Sequence, residues 1–477
     1  MKKVNVLTIL LMYVTAISAQ NVGIGNTDPK AKLDVTGNVR INDGTQGLGK
    51  VLTSDATGKG SWQTLNTTTT PAPNGVGFGA WGDCSTSNIS SYNPVRDSNM
   101  AVGDYFGLCN SMSGNYAIIG ASGKTVGVNA SQGAAYIYFF NGTTWEQLQT
   151  LTASDGAAND FFGVSVSING NFAIVGARGK TVGGNVSQGK VYFFVNNGSS
   201  WVQLGTGLTA SDGTANDYLG FSVSISGNYA IAGAYNKTVS GHTNRGKAYI
   251  YNYNGSTWAQ VGTGITASDG AVNDCFGFSV SISGNNAIVG AYGKDVGVYD
   301  AQGKAYIFTN LGGTWTQVGT GFTNNDGAAY DVFGYDVSIK SNYAIIGARN
   351  KASYSYTSQG AAYIYMYNGS NWVQVQKLTA NDGAVEDFYG TRVAITGKYV
   401  IVGAARKMIG SKYQQGAAYI YQNINGMWRH VQKVTDPAGS DFDLFGYGLS
   451  IEGSRFLVGA HGVQSNTGIA FFGKIME

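Results

Sequence analysis

Gly-Lys-Thr stands at residues 123–125 and again at 179–181. A phosphate-binding loop needs Gly-x4-Gly-Lys-Ser/Thr between a strand and a helix. Ile118 and Ile174 occupy the place of the first glycine, and no window of helical period follows, so spacing and context both exclude a nucleotide. The lysine outlasts the tripeptide. Lys124, Lys180, Lys237, Lys294, Lys351 and Lys407 recur in register, and Val463 takes the seventh place. Two readings are open. Each lysine is a solvated side chain or partner of a nearby Asp, or the six form a basic ring that meets an acidic ligand.

Carboxylates recur with the same period. Asp104, Asp160, Asp217, Asp274, Asp331, Asp387 and Asp443 are joined five residues upstream by Asp155, Asp212, Asp269, Asp326 and Asp382, while Asn99 and Ala438 break the series at the ends. Such Asp side chains cap turns by accepting backbone N–H bonds. Weak calcium binding by paired Asp plus carbonyls is the other reading. Asp336 and Arg392 stand where other repeats keep Ser165, Ser222 and Ser279, or small residues at Cys109 and Gly448. They read as an inter-blade ion pair or as a polar ligand point at a channel mouth. The six lysines with Asp336 and Arg392 make up the candidate ligand-binding set. Catalysis has little to work with. His242, His430 and His461 fall at unrelated repeat positions, and no His-x-x-x-His, Cys-x-x-Cys or Gly-x-Ser-x-Gly is present. No catalytic residue, resident metal or other cofactor is expected.

These residues are positioned by a repeat. Phe-Gly or its variants recur with glycines at 107, 163, 220, 277, 334, 390 and 446, 56 or 57 residues apart. Thirteen residues after each comes Gly-Ala, and 38 residues after each of the first six comes Trp, from Trp145 to Trp428. Each unit reads as four strands. In the second, "GVSVSI" alternates, "FAIVGA" is apolar, and "KVYFFV" and "WVQLGTGLTA" flank the turn "NNGSS". Seven such units predict an all-β chain: a seven-bladed β-propeller of four-stranded blades. The last unit stops at its third strand. Residues 89–97 occupy the fourth-strand position upstream of the first unit, and are expected to complete the last blade and cover its edge. The tryptophans, as in "GTTW" at 142–145, resemble the end of a sialidase Asp box without its Asp, and read as packing between blades.

The Phe-Gly and Gly-Ala registers resemble the FG-GAP repeat, the blade unit of integrin α-subunit propellers and of many bacterial exported proteins. The resemblance covers residues 88–477 and implies the propeller fold; it does not specify an activity. The position after Gly-Ala departs from the family's Pro: it holds Ser122, Arg178, Tyr235, Tyr292, Arg349, Ala405 or His461. The Asp-rich calcium loop that integrin-type blades carry between their first two strands is replaced by short turns such as "NGN" at 169–171. Calcium is therefore not carried over to those turns.

Composition bounds the rest. The chain has 477 residues, 43% of them hydrophobic and 12% charged, with 71 Gly and 30 Tyr. A formal charge of +3 over this length excludes nucleic acid as a main partner. Residues 1–19 read as an export signal, with Lys2 and Lys3 before an apolar run and small residues at Ala16, Ser18 and Ala19. No further run is long enough to span a bilayer. Residues 20–65 resemble a Gly-rich β module of exported surface proteins, 66–87 read as a linker, and 88–477 as the propeller. Cys84, Cys109 and Cys275 do not make a disulfide framework, although a Cys84–Cys109 bridge remains open. The expectation is an exported, secreted or surface-associated module that binds extracellular protein or polysaccharide. The alternatives are a structural component of a surface assembly and a carbohydrate-active enzyme.

Overall fold

The computed structural model describes residues 93–352 and 357–475 in full, and the backbone of four short strands further upstream. The chain divides into two compact units, residues 1–81 and 82–477. In the first, β1 (Val22–Ile24) pairs in parallel with β2 (Leu33–Val35), and β3 (Lys50–Ser54) pairs antiparallel with β4 (Gly60–Thr64). The expected leader at 1–19, the linker at 66–87 and Cys84 lie outside the described residues.

The second unit is a ring of seven four-stranded antiparallel blades. Blade 1 is β6 (Phe106–Ser113), β7 (Tyr116–Ala121), β8 (Ala134–Phe140) and β9 (Trp145–Leu151). Blades 2 to 6 repeat this order over residues 162–208, 222–265, 279–322, 333–378 and 389–434. Blade 7 holds β30 (Gly448–Glu452), β31 (Arg455–Ala460) and β32 (Ile469–Lys474). Among the described residues no helix is long and apolar enough to cross a membrane.

Burial explains the sequence pattern of each strand. The second strand of a blade is covered on both faces by its neighbours, so "YAIAGA" is buried from Ala230 to Ala234. The innermost strand alternates, as Ser222–Ser226 does. The core lies between blades: Ile174, Val191 and Phe193 of blade 2 pack on Val223, Ala230 and Tyr249 of blade 3. The tryptophans sit in these seams. Trp258 stacks on Phe193 of the preceding blade at 4.5 Å, and Trp145 stacks on Phe472 of blade 7 at 4.1 Å.

Two glycines per repeat set the spacing of blades. A Cβ on Gly233 would lie 1.8 Å from the Gly277 carbonyl oxygen of the next blade. The same approach recurs at each seam and at the ring's closure, where a Cβ on Gly459 would lie 1.9 Å from the Gly107 oxygen. The Phe-Gly glycines themselves adopt φ between +84° and +94° in blades 3 to 7, a conformation that glycine enters at no steric cost. The recurring Phe-Gly and Gly-Ala glycines therefore meet each other across every blade interface.

Small residues on the innermost strands suit the crowded axis, and the serines among them have a second role. Each innermost strand has a free edge whose N–H groups need acceptors. Serines of the preceding blade supply them: Ser165 Oγ accepts from Val223 N at 2.8 Å, Ser167 Oγ from Ile225 N at 3.1 Å, and Ser279 and Ser281 accept from Val337 N and Ile339 N.

The ring closes as expected from residues 89–97. β5 (Asn93–Val95) pairs antiparallel with β32, matching Val95 to Ala470 and Asn93 to Phe472. Arg96 Nη1 donates to Gln464 Oε1 at 2.6 Å within blade 7, and Arg455 Nη2 donates to the Gly114 carbonyl at 2.6 Å across the seam to blade 1. Deleting residues 80–97 uncovers the β32 edge and is expected to lower the melting temperature sharply; an unchanged melt refutes this closure. Gly233→Ala is expected to cost about 3 kcal/mol or more in urea unfolding, because backbone and not a movable side chain stands in the way. Gly227→Ala, at a hairpin turn with nothing within 4 Å, should cost about 1 kcal/mol, the penalty of a positive φ.

Candidate functional site

The lysines and aspartates meet at one corner of each of the first six blades. The carboxylate three residues before each Phe-Gly glycine caps its own turn: Asp160 Oδ2 accepts from Ala157 N at 2.7 Å. The same oxygen receives Lys180 Nζ at 2.9 Å, and that ammonium also donates to the Asp155 carbonyl. The arrangement recurs for Lys124 with Asp104, Lys237 with Asp217, Lys294 with Asp274, Lys351 with Asp331 and Lys407 with Asp387, at 2.8 to 3.2 Å. Five of these lysines are buried, Lys237 at 4% exposure. This corrects the picture of a basic ring open to an acidic ligand. A buried ammonium needs its anionic partner, and here that partner is internal. The ammonium also occupies the place between Asp carboxylate and carbonyl that a calcium ion would take. Among the described residues no group of three or more His, Cys, Asp or Glu is placed to hold a metal.

The second Asp series is more exposed and makes a different contact. Asp155 accepts from Tyr192 Oη at 2.6 Å and Lys190 Nζ at 2.9 Å. Burial alone would raise its pKa, but the tyrosine hydroxyl and the two lysines outweigh it, so the carboxyl sits below its usual range. Its contribution to stability is present above that usual range and is lost as pH falls through the lowered value. Blades 5 and 6 replace the third-strand lysine by Ala361 and Ala417, and Lys377 and Lys433 reach Asp326 and Asp382 from the outer strand instead, each at 2.6 Å.

The innermost strands enclose an axial cavity of about 420 Å³. Asp336 and Arg392 line it as the expected inter-blade pair, Arg392 Nη1 lying 3.4 Å from Asp336 Oδ1. Asp336 also takes over the serine role, accepting from Val393 N at 2.8 Å and Ser279 Oγ at 3.0 Å. Burial pushes its carboxyl above the ordinary range, against the opposing pull of Arg392. Arg392 Nε donates to the Tyr447 carbonyl, and its guanidinium lies 5.0 Å from the Tyr447 ring. Cys109 is free; its thiol faces the Gly163 carbonyl at 3.1 Å, and burial pushes it up to about 12.

The structure brings together a further set that the sequence reading did not single out as a site. The residue before each Phe-Gly pair has positive φ in all seven blades, from +51° at Val332 to +59° at Tyr218. That conformation is strained for aromatic and β-branched side chains. Phe221, Phe278 and Tyr447 after Phe-Gly and Arg178 after Gly-Ala line the cavity, and Phe161, Tyr235, Tyr292, Tyr335, Arg349 and Phe388 are joined to them by ring contacts. Phe221, Tyr235, Phe278, Tyr292 and Tyr335 form a continuous aromatic arc, with neighbouring ring centroids 4.6 to 5.9 Å apart. An arginine caps each end. Arg178 lies 5.0 Å from the Phe161 ring and 6.0 Å from Phe221; Arg349 lies 3.9 Å from Tyr335 and 5.4 Å from Phe388. The Nε atoms of Arg178 and Arg349 and Nδ1 of His461 have no hydrogen-bond partner among the described residues. His461, 8% exposed against Tyr447, is held at about 4 by burial and by Arg392, and so is neutral near pH 7. The signal for this site was the position after Gly-Ala, where Arg, Tyr and His replace the family's Pro.

The fold defines a seven-bladed β-propeller whose innermost strands line an axial cavity. A family model of the FG-GAP repeat matches residues 95–138, 145–194, 201–251, 258–308, 315–365 and 372–421, more than half of the chain. The chain belongs to the FG-GAP repeat family. Each matched segment from the second onward starts on the outer strand of one blade and ends on the third strand of the next. No curated protein matches the chain.

Lys237→Met leaves Asp217 buried without its ammonium, and is expected to cost about 3 kcal/mol in urea unfolding. Adding Asp217→Asn should recover part of that loss. Stability close to wild type, with binding to an acidic polysaccharide lost, would restore the basic ring.

Proposed function

We propose that this chain is an exported, non-catalytic binding or adhesion module. It acts outside the cell on an extracellular protein or polysaccharide, through the arginine-capped aromatic arc at its propeller mouth. The arc carries this reading. A contiguous set of mostly half-buried rings with a guanidinium at each end adjoins the axial cavity, which Phe221, Phe278 and Arg178 line, and such concave sites with few polar groups are where ligands bind. The FG-GAP propeller fold fits a binding or adhesion module. Export is supported by the charged, apolar and small-residue order of residues 1–19. A non-catalytic role is supported by the engagement of Asp336 with Ser279, Val393 and Arg392, which leaves it poorly suited to proton transfer.

The full chain is tested against a panel of extracellular polysaccharides and proteins by surface plasmon resonance. At least one binder is expected, weakened tenfold or more by Tyr235→Ser with Tyr292→Ser while the melting temperature holds. Asn254→Ala, in a turn between third and outer strands, should leave binding unchanged. Binding indifferent to the arc, or turnover of a bound polysaccharide, overturns the reading.

A further inference from the structure

The mouth's charge is one-sided. At the positions before and after Phe-Gly and after Gly-Ala, no blade carries an acidic residue. Arg178 and Arg349 make neither an ion pair nor a hydrogen bond among the described residues, and they lie over aromatic rings, 5.0 Å from Phe161 and 3.9 Å from Tyr335. The Nε of each is buried, and the two terminal Nη groups are left free, an end that can grip a carboxylate in two parallel hydrogen bonds. The contrast with the corner lysines is direct, because each of those is satisfied by its own blade. Of the acids near the mouth, Asp160, Asp274, Asp331 and Asp387 are paired with the corner lysines, and Asp336 is held by Arg392, Ser279 and the Val393 amide.

We propose that the arc binds an acidic polysaccharide built of uronate sugars, with sugar rings lying over the aromatic arc and carboxylates taken by Arg178 and Arg349. The proposal rests on the reading of the mouth as a ligand site, and adds the ligand's class. Two observations favour a saccharide over an acidic peptide. A continuous run of rings with an arginine at each end spans blades 2 to 5, which suits a chain of flat-faced sugars bearing carboxylates. A peptide strand would seek a free row of N–H groups, but the innermost edges are already capped by serine hydroxyls, as at Val223, Ile225, Val337 and Ile339.

The test uses the full chain with three probes: polygalacturonate, the same polymer after carboxyl reduction, and poly-glutamate. Isothermal titration should show binding to polygalacturonate that weakens tenfold or more on carboxyl reduction and falls with added salt. Arg178→Gln with Arg349→Gln should reduce it at least tenfold, and Lys in both places should restore only part, because an ammonium lacks the planar fork. Circular dichroism and melting temperature confirm that the variants are folded; if the Gln pair unfolds, the Lys pair carries the comparison. Equal binding of the reduced polymer through the arc overturns the uronate proposal and leaves the binding module standing. Equal or tighter binding of poly-glutamate overturns it in favour of an acidic peptide. Absence of polygalacturonate binding, or binding untouched by both arginine pairs, overturns it outright.

Discussion

The contact on which this propeller depends is the approach of two backbones at each blade seam. The carbonyl of a Phe-Gly glycine rests against the α-carbon of the Gly-Ala glycine of the blade before it, at a distance that leaves no room for a methyl group. Close-packed interiors transmit even small volume changes, and here the neighbours of the missing Cβ are main-chain atoms that cannot rotate away. The contact recurs with nearly the same geometry at every seam, including the one that joins blade 7 to blade 1. A ring closes only if its steps are equal, so a repeated glycine pair is a direct way of making them equal.

Around that contact the chain arranges its few charges inwardly. Only 12% of residues are charged, and many are spent at blade corners. There a lysine joins a turn-capping aspartate to the carbonyl of the residue five positions before it. Where the third-strand lysine is absent in blades 5 and 6, an outer-strand lysine serves the exposed aspartate instead. Blade 7 lacks the corner lysine, and Asp443, buried beside Asp436 and Asp441, is pushed above the ordinary carboxylate range by burial, only partly offset by the Ser440 amide. This blade is held by other means: β5 on β32, Arg455 on the turn of blade 1, and Trp145 on Phe472.

The mouth gains its character from this rigid frame. The residue before each Phe-Gly pair is driven into a left-handed conformation by the turns on either side of it, and a residue there is tolerated only because the surroundings over-determine it. Aromatic side chains at these strained positions, with those after Phe-Gly and Gly-Ala, are therefore placed without any flexible loop of their own. A binding surface mounted on such a frame loses little conformational entropy when occupied.

Much of this was legible in the residues alone. Strand number, blade number and the closing segment followed from alternation, turn residues and register, because each reflects local backbone preference or the strict period of the repeat. The inter-blade pairing of Asp336 with Arg392 and the seam position of the tryptophans were also readable, since equivalent positions on successive repeats must be neighbours on a ring. The solvent exposure of the lysines was not. Whether an ammonium meets water or a carboxylate depends on how two loops far apart in one repeat fold onto the same corner. The mouth was hidden for the same reason. Its aromatic arc draws on several register positions of different blades, and only the packing of blade on blade brings Arg178, Phe278 and Arg349 into one rim. The sequence by itself determined a closed ring of like blades, because period and glycine spacing are one-dimensional facts. The tertiary structure decided which charges are sealed in the corners and which remain at the opening, because burial and partnership exist only once the ring has closed.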